Sequence, residues 1–390
     1  YCQIPGINCF DGNGFILHNC GEQPLPIGGA CVLGSLILPS FFDRSRNILD
    51  MKKLGTAVDT SVRFLDSVID ITPFPLEKQR IEAITKRRIG VGVMGFGSLL
   101  YLMKIRYGSK ESVKLANDLM SFITDRAYSA SADLAMEKGP FPRYREADVL
   151  STPFLQERIS EETREHIRTF GLRNSHLISM APTGTTSIYM NYVSSGIEPV
   201  FSHRQFRTVG IGSLQTPPDL VLPESVDWSR RIADAGWTWK TEGDMPVLVK
   251  KHNKHVYKLY KERGLTVEEE IVDYAVHEMG EDFDPDADWA VTTRNLSVDD
   301  HLRVLEVFAS YTDSGVSKTI NVPNDYPFEE FIEMYHKAWR SNVIKGVTAY
   351  RDGTMASVIS DTATEVEPEG RPVNLPCNLH RIRVQGNPWI

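Results

Sequence analysis

The feature that most constrains the fold is the alternation of long helical segments with short apolar segments. Residues 50 to 71 and 110 to 138 carry apolar side chains at helical spacing. Short apolar runs follow, and they have the length of buried strands. These runs are "SHLISM" at 175 to 180, "SKTINVP" at 317 to 323 and "KGVTAYRDG" at 345 to 353. Helices that alternate with short strands indicate an α/β fold.

A glycine-rich stretch lies inside a further segment that we expect to be helical, residues 77 to 104. Its sequence "RRIGVGVMGFGSLLYLM" contains four glycines, which predict close packing between helices. The letters "GVGVMG" also spell G-x-G-x-x-G. They follow a basic helical stretch rather than a strand, which argues against a dinucleotide-binding loop.

Two capping-box patterns predict helix starts in the second half of the chain. Thr266 is followed by Glu269, and Ser297 by Asp300, each ahead of apolar residues at helical spacing. Gly280 predicts the end of the first of these helices.

Composition excludes several classes of protein. The chain has 390 residues, of which 41% are hydrophobic, enough for a substantial core, and its net charge of −8 argues against a surface that coats nucleic acid. No apolar run is long enough to predict a membrane span, and the N-terminus lacks a signal-peptide pattern. Five scattered cysteines predict no disulfide framework, which favours a reducing, cytoplasmic setting. No metal site is predicted.

The ends of the chain suggest a fragment. It begins without Met and stops at "GNPWI", in what the pattern predicts to be a strand. Residues 356 to 373 are polar and acidic with two prolines, which predicts a linker. Residues 374 to 390 include the strand-like "HRIRVQG" and would begin a truncated C-terminal accessory region.

The tripeptide His18-Asn19-Cys20 carries the residue types that protein splicing needs at its downstream junction. An Asn amide can attack its own backbone carbonyl, a neighbouring His can assist by proton transfer, and the next Cys can accept the acyl group. The surrounding "GINCFDGNGFILHNC" resembles the C-terminal end of an intein. The alternative is a Gly/Asn hairpin with a solvent-facing His.

A second resemblance starts at the same Cys20. Six segments, in order from residue 20 to residue 386, resemble the catalytic (large) subunit of ribonucleotide reductases, and most closely the adenosylcobalamin-dependent class II. The segments are "CGEQPLPIGGACVLGS", "RRIGVGVMGFGSLL", "APTGTTSIYMNYVSSGIEPVFS", "YTDSGVSKTINVP", "GVTAYRDGT" and "LPCNLHRIRVQG".

This resemblance implies a fold and a chemistry. The fold is the second half of the ten-stranded α/β barrel of the radical reductases, preceded by a short β-rich intein tail. The activity is reduction of ribonucleotides to deoxyribonucleotides for DNA synthesis. Cys20 would form the thiyl radical that takes hydrogen from the ribose 3′ carbon, and Glu22 would be the general base for the 3′-hydroxyl. Cys31 would belong to a redox pair whose partner lies upstream. The alternatives are an inert buried Cys31 and a surface-loop Glu22.

The turn "APTGTTS" has its own physical interpretation. A strand that runs into a Gly/Ser/Thr turn and then a helix can hold an anion with its N–H groups and hydroxyls. In ribonucleotide reductases this turn holds the phosphates of the substrate. The resemblance therefore implies that role for Thr183, Gly184, Thr185, Thr186 and Ser187. The alternative is an ordinary helix cap without a ligand.

The two resemblances together predict the domain organisation. The reductase family places an Asn two residues before the radical cysteine, where this chain has His18. We therefore expect an intein inserted directly before Cys20, which would serve first in splicing and then in catalysis. The predicted divisions are 1–19 for the intein segment, 20–355 for the barrel half, 356–373 for the linker and 374–390 for the accessory region.

The resemblance also implies partners and cofactors. They are adenosylcobalamin, a thioredoxin-type reductant (thioredoxin or glutaredoxin), a ribonucleoside di- or triphosphate, the upstream intein and reductase half, and a second copy in a homodimer. Tyr350 is followed by Arg351 where the two-subunit class I keeps a second radical-transfer tyrosine. One alternative is nevertheless that class I large chain, and another is a splicing element attached to an inactive reductase fragment.

Overall fold

The computed structural model describes two compact units within the chain. The first contains residues 23–203 and 273–351, and the second contains 204–272 with gaps and the short segment 359–360. Asn19, Cys20 and Glu22, almost all of the predicted linker and the whole of 374–390 lie outside the described residues. The described residues are 9–11, 16–18, 23–210, 217, 219–224, 226–227, 232–233, 235–242, 245–252, 255–261, 264–351 and 359–360.

The elements of both units are numbered in chain order. The helices are α1 (Met51–Ile71), α2 (Glu77–Lys86), α3 (Phe96–Leu102), α4 (Lys110–Lys138), α5 (Glu146–Leu150), α6 (Pro153–Arg158), α7 (Glu161–Phe170), α8 (Gly184–Tyr189), α9 (Tyr274–Met279), α10 (Val298–Ser310) and α11 (Phe328–Arg340). The strands are β1 (Cys9–Asp11), β2 (Ile16–His18), β3 (Val32–Ile37), β4 (Phe42–Asp43), β5 (Ile48–Leu49), β6 (Ile89–Met94), β7 (Arg204–Gly210), β8 (Val226–Asp227), β9 (Ile232–Ala233), β10 (Thr238–Glu242), β11 (Met245–His252), β12 (His255–Tyr260), β13 (Gly264–Val272), β14 (Thr319–Val322), β15 (Thr348–Arg351) and β16 (Ile359–Ser360).

Parallel strands form the centre of the first unit. β3 pairs with β6 in parallel, and parallel bridges join Val91 to Ile178 and Met180 to Val316. β14, which follows Val316, pairs in parallel with β15. The predicted α/β class is therefore confirmed, but these strands do not close into a barrel within the described part of the chain.

The two long helices of the first unit follow the sequence prediction. Asp50 caps α1 by accepting a hydrogen bond from the Lys53 N–H at 2.9 Å, and Ser109 caps α4 in the same way. The apolar stripe of α1 packs against β3 and β6, since Leu65 lies within 3.4 Å of the position that a Cβ on Gly34 would occupy. The buried members of that stripe are Leu54, Val58, Val62, Leu65 and Ile69.

The prediction of one helix over residues 77 to 104 is wrong. α2 ends at Lys86, Arg87 adopts the left-handed conformation with φ 48°, and the glycine-rich stretch continues as β6 before α3 begins. β6 is buried along its whole length, so its residues form an apolar run without the alternation of a half-exposed strand. Gly90 and Gly92 therefore serve strand packing, whereas Gly97 lies in α3 and lets that helix approach the backbone of Glu198 and Val200.

The second unit is an antiparallel sheet with the strand order β10-β11-β12-β13-β7-β16. Thr266 and Glu269 lie inside β13, where they pair with Gly210 and Arg207 of β7. The helix start predicted at Thr266 is therefore wrong, because pairing on both sides of β13 outweighs a local capping pattern. The domain division predicted from sequence included residues 204–272 in the barrel half, 20–355.

Two other helix boundaries are confirmed. α9 begins after its cap Asp273 and ends at Met279, and the predicted stop Gly280 is its C-cap with φ 56°. The Ser297–Asp300 capping box forms at the start of α10, with both reciprocal hydrogen bonds present. Near the N-terminus, β1 and β2 form a two-stranded sheet. No helix in the described ranges is both long and apolar enough to cross a membrane.

Candidate functional site

The predicted catalytic residues are only partly described. Cys31 immediately precedes β3 and is half-buried. His18 is the last residue of β2, and only its backbone is described. Cys20, Glu22 and Asn19 lie outside the described residues, so their roles stay predictions.

The pair β3 and β6 has two different faces. Ile89, Val91 and Val93 are completely buried and point towards the helices. The residues between them point to the opposite side, because successive side chains of a strand alternate. We call this opposite side the glycine face, and it consists of Cys31, Leu33, Arg88, Gly90 and Gly92.

Close approach of neighbouring chain segments requires the two glycines. A Cβ on Gly90 would lie 2.5 Å from Leu33 and 2.7 Å from Ser179, and one on Gly92 would lie 2.3 Å from the Ser179 carbonyl oxygen. Such distances are far shorter than van der Waals contact. The glycines therefore let the segment that contains Ser179 pack directly beside β6.

Gln23 contributes a polar group to the glycine face. Its Nε2 lies 3.1 Å from the position that a Cβ on Gly90 would occupy. Both polar atoms of the Gln23 side chain are buried and have no hydrogen-bond partner within the described residues. Buried amides nearly always have partners, so a ligand or residues outside the described ranges would satisfy this one. Gln23 stands three positions after Cys20.

The predicted phosphate turn forms at the end of another parallel segment. After the bridge at Met180, Thr183 adopts φ 49° and precedes α8. No side chain caps this helix, and Thr185 and Thr186 are exposed. Ser187 is buried and donates a hydrogen bond to the Gly184 carbonyl at 2.9 Å. The turn and the helix are confirmed, but the predicted strand at 175 to 180 is reduced to isolated bridges at Ile178 and Met180. Phosphate binding stays a prediction.

The segment from Ser194 to Glu198 holds this turn in place. The Gly196 N–H donates to Thr183 Oγ1 at 2.7 Å, and the hydroxyls of Ser195 and Ser187 are 3.1 Å apart. Gly196 has φ 51°, and a Cβ there would come within 2.8 Å of a backbone oxygen. Thr183 and Ser187 therefore have internal partners, while Thr185 and Thr186 remain accessible to a ligand.

A buried lysine connects this segment to β14. Lys318 is fully buried and forms an ion pair with Glu198. It also donates to His301 Nδ1 at 2.8 Å, and Glu198 accepts from the Thr319 N–H at 2.6 Å. Burial lowers the pKa of Lys318, opposed by the negative charge of Glu198. The pKa of His301 is lowered mainly by burial and to a smaller extent by the positive charge of Lys318.

Sequence reasoning gave the segments "SSGIEP" and "SKTIN" no specific chemistry, and it missed Arg88. The Glu198–Lys318 pair joins those two segments, and its members are 120 residues apart. A Lys two residues from Val316 and two from Ile320 in a predicted buried strand was the available signal, since an unpaired Lys is almost never fully buried. For Arg88 the signal was a basic pair directly before a buried strand.

Comparisons with known proteins show which family the sequence resembles. Residues 18–350 match the sequence model of the family described as "Ribonucleotide reductase, barrel domain". The vitamin B12-dependent ribonucleoside-diphosphate reductase of Thermoplasma acidophilum is 32% identical over 364 residues, which cover 91% of this chain and 40% of that protein.

Two further relatives extend the comparison. The protein of the same name from Mycobacterium tuberculosis is 29% identical over 349 residues, covering 88% of this chain and 42% of that protein. The ribonucleoside-diphosphate reductase subunit alpha of Chlamydia pneumoniae is 32% identical over 209 residues, covering 48% of this chain and 19% of that protein. The chain thus spans about 40% of the length of the B12-dependent relatives.

Proposed function

The chain belongs to the ribonucleotide reductase barrel-domain family, and from that premise we propose that it supplies the second half of a B12-dependent reductase. The substrate class we propose is a ribonucleoside diphosphate, as in the names of the relatives from Thermoplasma and Mycobacterium. The observation that carries the proposal is the match of residues 18–350. It includes both Cys31 and the turn before α8.

The proposed chemistry uses three residues of this chain. A thiyl radical at Cys20 takes the hydrogen from the 3′ carbon, while Glu22 accepts the 3′-hydroxyl proton. Loss of the 2′-hydroxyl as water follows, and Cys31 with its upstream partner supplies the two electrons and the protons. The pair becomes a disulfide, and Cys20 regains its radical when the hydrogen returns to the 3′ carbon.

The glycine face supports this assignment of Cys31. Gly90 and Gly92 let the segment of Ser179 pack on the side of β6 where Cys31 lies, and the Gln23 amide, which has no partner among the described residues, lies beside Gly90. A substrate would bring the polar atoms that this amide lacks. Thr185 and Thr186, together with the first N–H groups of α8, would bind its phosphates.

We further propose that residues 1–19 are the end of an intein that splices at Asn19 and Cys20. The family match begins at residue 18, beside the proposed junction. The short β1–β2 sheet is in keeping with a β-rich tail. Cys20 would accept the acyl group during splicing and would serve as the radical site in the product.

The cavity described in the first unit does not supply a corrin site beside Cys31. The cavity of about 840 Å³ in the first unit is lined by side chains between Asn117 and His166, most of them charged or polar. None of them belongs to the glycine face. Adenosylcobalamin remains part of the proposal through the names of the relatives, and no step here is derived through it.

The central test uses an intein-free enzyme in which the upstream half is fused directly to Cys20. With adenosylcobalamin and a dithiol, this enzyme should convert ribonucleoside diphosphate to deoxyribonucleoside diphosphate. Cys20→Ser should abolish turnover, because a serine O–H bond is too strong for the radical to be regenerated. The variant should still bind nucleotide. Product formation by the serine variant would overturn the assignment of Cys20.

A further inference from the structure

Two adjacent arginines before β6 have opposite surroundings. Arg87 is 3% exposed and is fully paired, since it donates to Asp66 Oδ1 and to Asp70 Oδ1, both at 2.7 Å. Arg88 is 8% exposed, yet it has no ion pair or hydrogen bond to any side chain or backbone group among the described residues. A buried charge without a partner is costly, so Arg88 requires an explanation that Arg87 does not.

The strand register places Arg88 beside Cys31. The parallel ladder pairs Val32 with Ile89 and continues in register to the end of both strands. Cys31 and Arg88 each stand one residue earlier, so they are the next pair of positions on the glycine face. Burial lowers the pKa of Arg88. Among the charges that oppose this effect and raise the pKa, the negative charge of Cys31 has the largest influence.

We propose that Arg88 is a positioning residue that stabilises Cys31 as a thiolate during thiol–disulfide exchange. An arginine stays charged in proteins, and a cation beside a cysteine favours the thiolate. The proposal rests on the redox role of Cys31 given above. It adds a residue that sets how fast the redox pair is re-reduced.

The redox pair is re-reduced by thiol–disulfide exchange. After one turnover, Cys31 and its upstream partner form a disulfide. The thiolate of an external dithiol attacks the partner sulfur, the S–S bond breaks, and the electron pair leaves on Cys31. The second thiol of the reductant then resolves the mixed disulfide, so the reductant is oxidised and both cysteines are reduced. Arg88 acts where the leaving sulfur gains its negative charge.

Other charged groups around Arg88 are already engaged. Asp313 accepts hydrogen bonds from the N–H groups of Leu177 and Ile178 and from the Tyr128 hydroxyl. Glu82 forms an ion pair with Lys86. The charged and titratable groups that influence Arg88 or its neighbour His176 are Cys31, Glu82, Lys86, Asp313 and Lys345.

The test follows alkylation of Cys31 in the full 390-residue chain. Iodoacetamide labelling is measured between pH 5 and pH 10, and mass spectrometry of the peptide that contains Cys31 separates it from the other cysteines. In Arg88→Met, the pH of half-maximal labelling should rise by at least about one unit, the effect expected for loss of an adjacent opposite charge. Labelling at neutral pH should therefore slow about tenfold.

Two variants control the measurement, and a third is a substitute for the test variant. Arg88→Lys should restore most of the labelling rate at neutral pH, because it keeps the charge. Arg126→Met, which removes an arginine paired with Asp59 on the surface, should leave the profile unchanged. Should Arg88→Met fail to fold, Arg88→Gln takes its place. The wild-type profile also tests the idea, since half-maximal labelling at or above about pH 8.5, the value for an ordinary thiol, overturns it.

The outcomes separate this inference from the proposed function. Superimposable profiles for wild type and Arg88→Met overturn the role of Arg88 even if the fused enzyme is active. A raised KM for nucleotide with an unchanged profile also overturns it, and assigns Arg88 to the substrate phosphate instead. A shifted profile in a chain whose fused enzyme is inactive supports the Cys31–Arg88 pair and counts against the reductase proposal alone.

Discussion

Lys318 and Glu198 form a buried ion pair that joins β14 to the segment supporting the turn before α8. The Nζ of the fully buried lysine also donates to the Thr319 carbonyl oxygen at 2.6 Å, so it has three partners. Glu198 in turn accepts from the Thr319 N–H. One pair therefore fixes the position of a turn that it does not touch directly.

The first prediction is that Lys318→Met destabilises the protein. It leaves Glu198, whose side chain is 23% exposed, without its cation. Breaking a fully buried pair from one side costs about 3–5 kcal/mol, which is the upper bound for the loss expected here. Urea unfolding followed by circular dichroism measures the loss. Lys337→Met is the matched control, because Lys337 pairs with Asp299 on the surface, and it should change stability little. Equal effects of the two variants would contradict the buried-pair interpretation.

The second prediction concerns Asp273, the cap of α9. It is 5% exposed and accepts from Ser98 Oγ at 2.9 Å, and burial raises its pKa from 3.8 to about 6. Between pH 3.8 and about pH 6, the Asp273 carboxyl is protonated in the folded state and ionised in the unfolded chain. The protonated carboxyl therefore stabilises the fold at low pH, and that contribution disappears as pH rises through 6.

Asp273→Asn tests this linkage, since asparagine keeps the capping oxygen and cannot ionise. The stability of the variant relative to wild type should increase by about 2.5 kcal/mol between pH 4 and pH 7. Asp50→Asn, at the exposed cap of α1, removes no buried charge and serves as the control. A constant difference between Asp273→Asn and wild type across that range would refute the shift.

The third prediction addresses the phosphate turn. Replacing Thr185 and Thr186 by Val in the fused enzyme keeps their volume and deletes two hydroxyls. Each lost hydrogen bond to a charged phosphate costs about 1.5–3 kcal/mol, so KM for the nucleotide should rise at least about tenfold per residue. Thr60→Val makes the same change on the exposed side of α1 and should have no effect. Unchanged nucleotide affinity in the double variant would remove the turn from the site.

The fourth prediction concerns splicing. When the chain is joined to its upstream intein half, residues 1–19 should be released with a new peptide bond formed at Cys20. Asn19→Ala should block cleavage after position 19, because alanine has no side-chain amide to attack the carbonyl. Intact-mass spectrometry distinguishes the products, and Asn13→Ala is a control in the same segment. Cleavage after position 19 in the Asn19→Ala variant would show that Asn cyclisation is not the mechanism.

Some features followed from local sequence alone. The boundaries of α1, α4 and α10 were predictable because their capping residues and apolar spacing act within one or two helical turns. The turn and helix after Met180 were predictable for the same reason. Cys31 was singled out through the resemblance of its segment to the reductase family rather than through its surroundings.

Only the tertiary structure decided the remaining features. β6 is buried on both faces, and its glycines are needed for contact with Ser179, far along the chain. β13 is extended because β7 and β12 pair with it, which overrides the capping pattern at Thr266. The same holds for charge, since nothing in the letters "RR" distinguishes Arg87, paired with Asp66, from Arg88 beside Cys31. Local propensities are fixed by neighbouring residues, whereas pairing, burial and the partners of a charge depend on which distant segments meet.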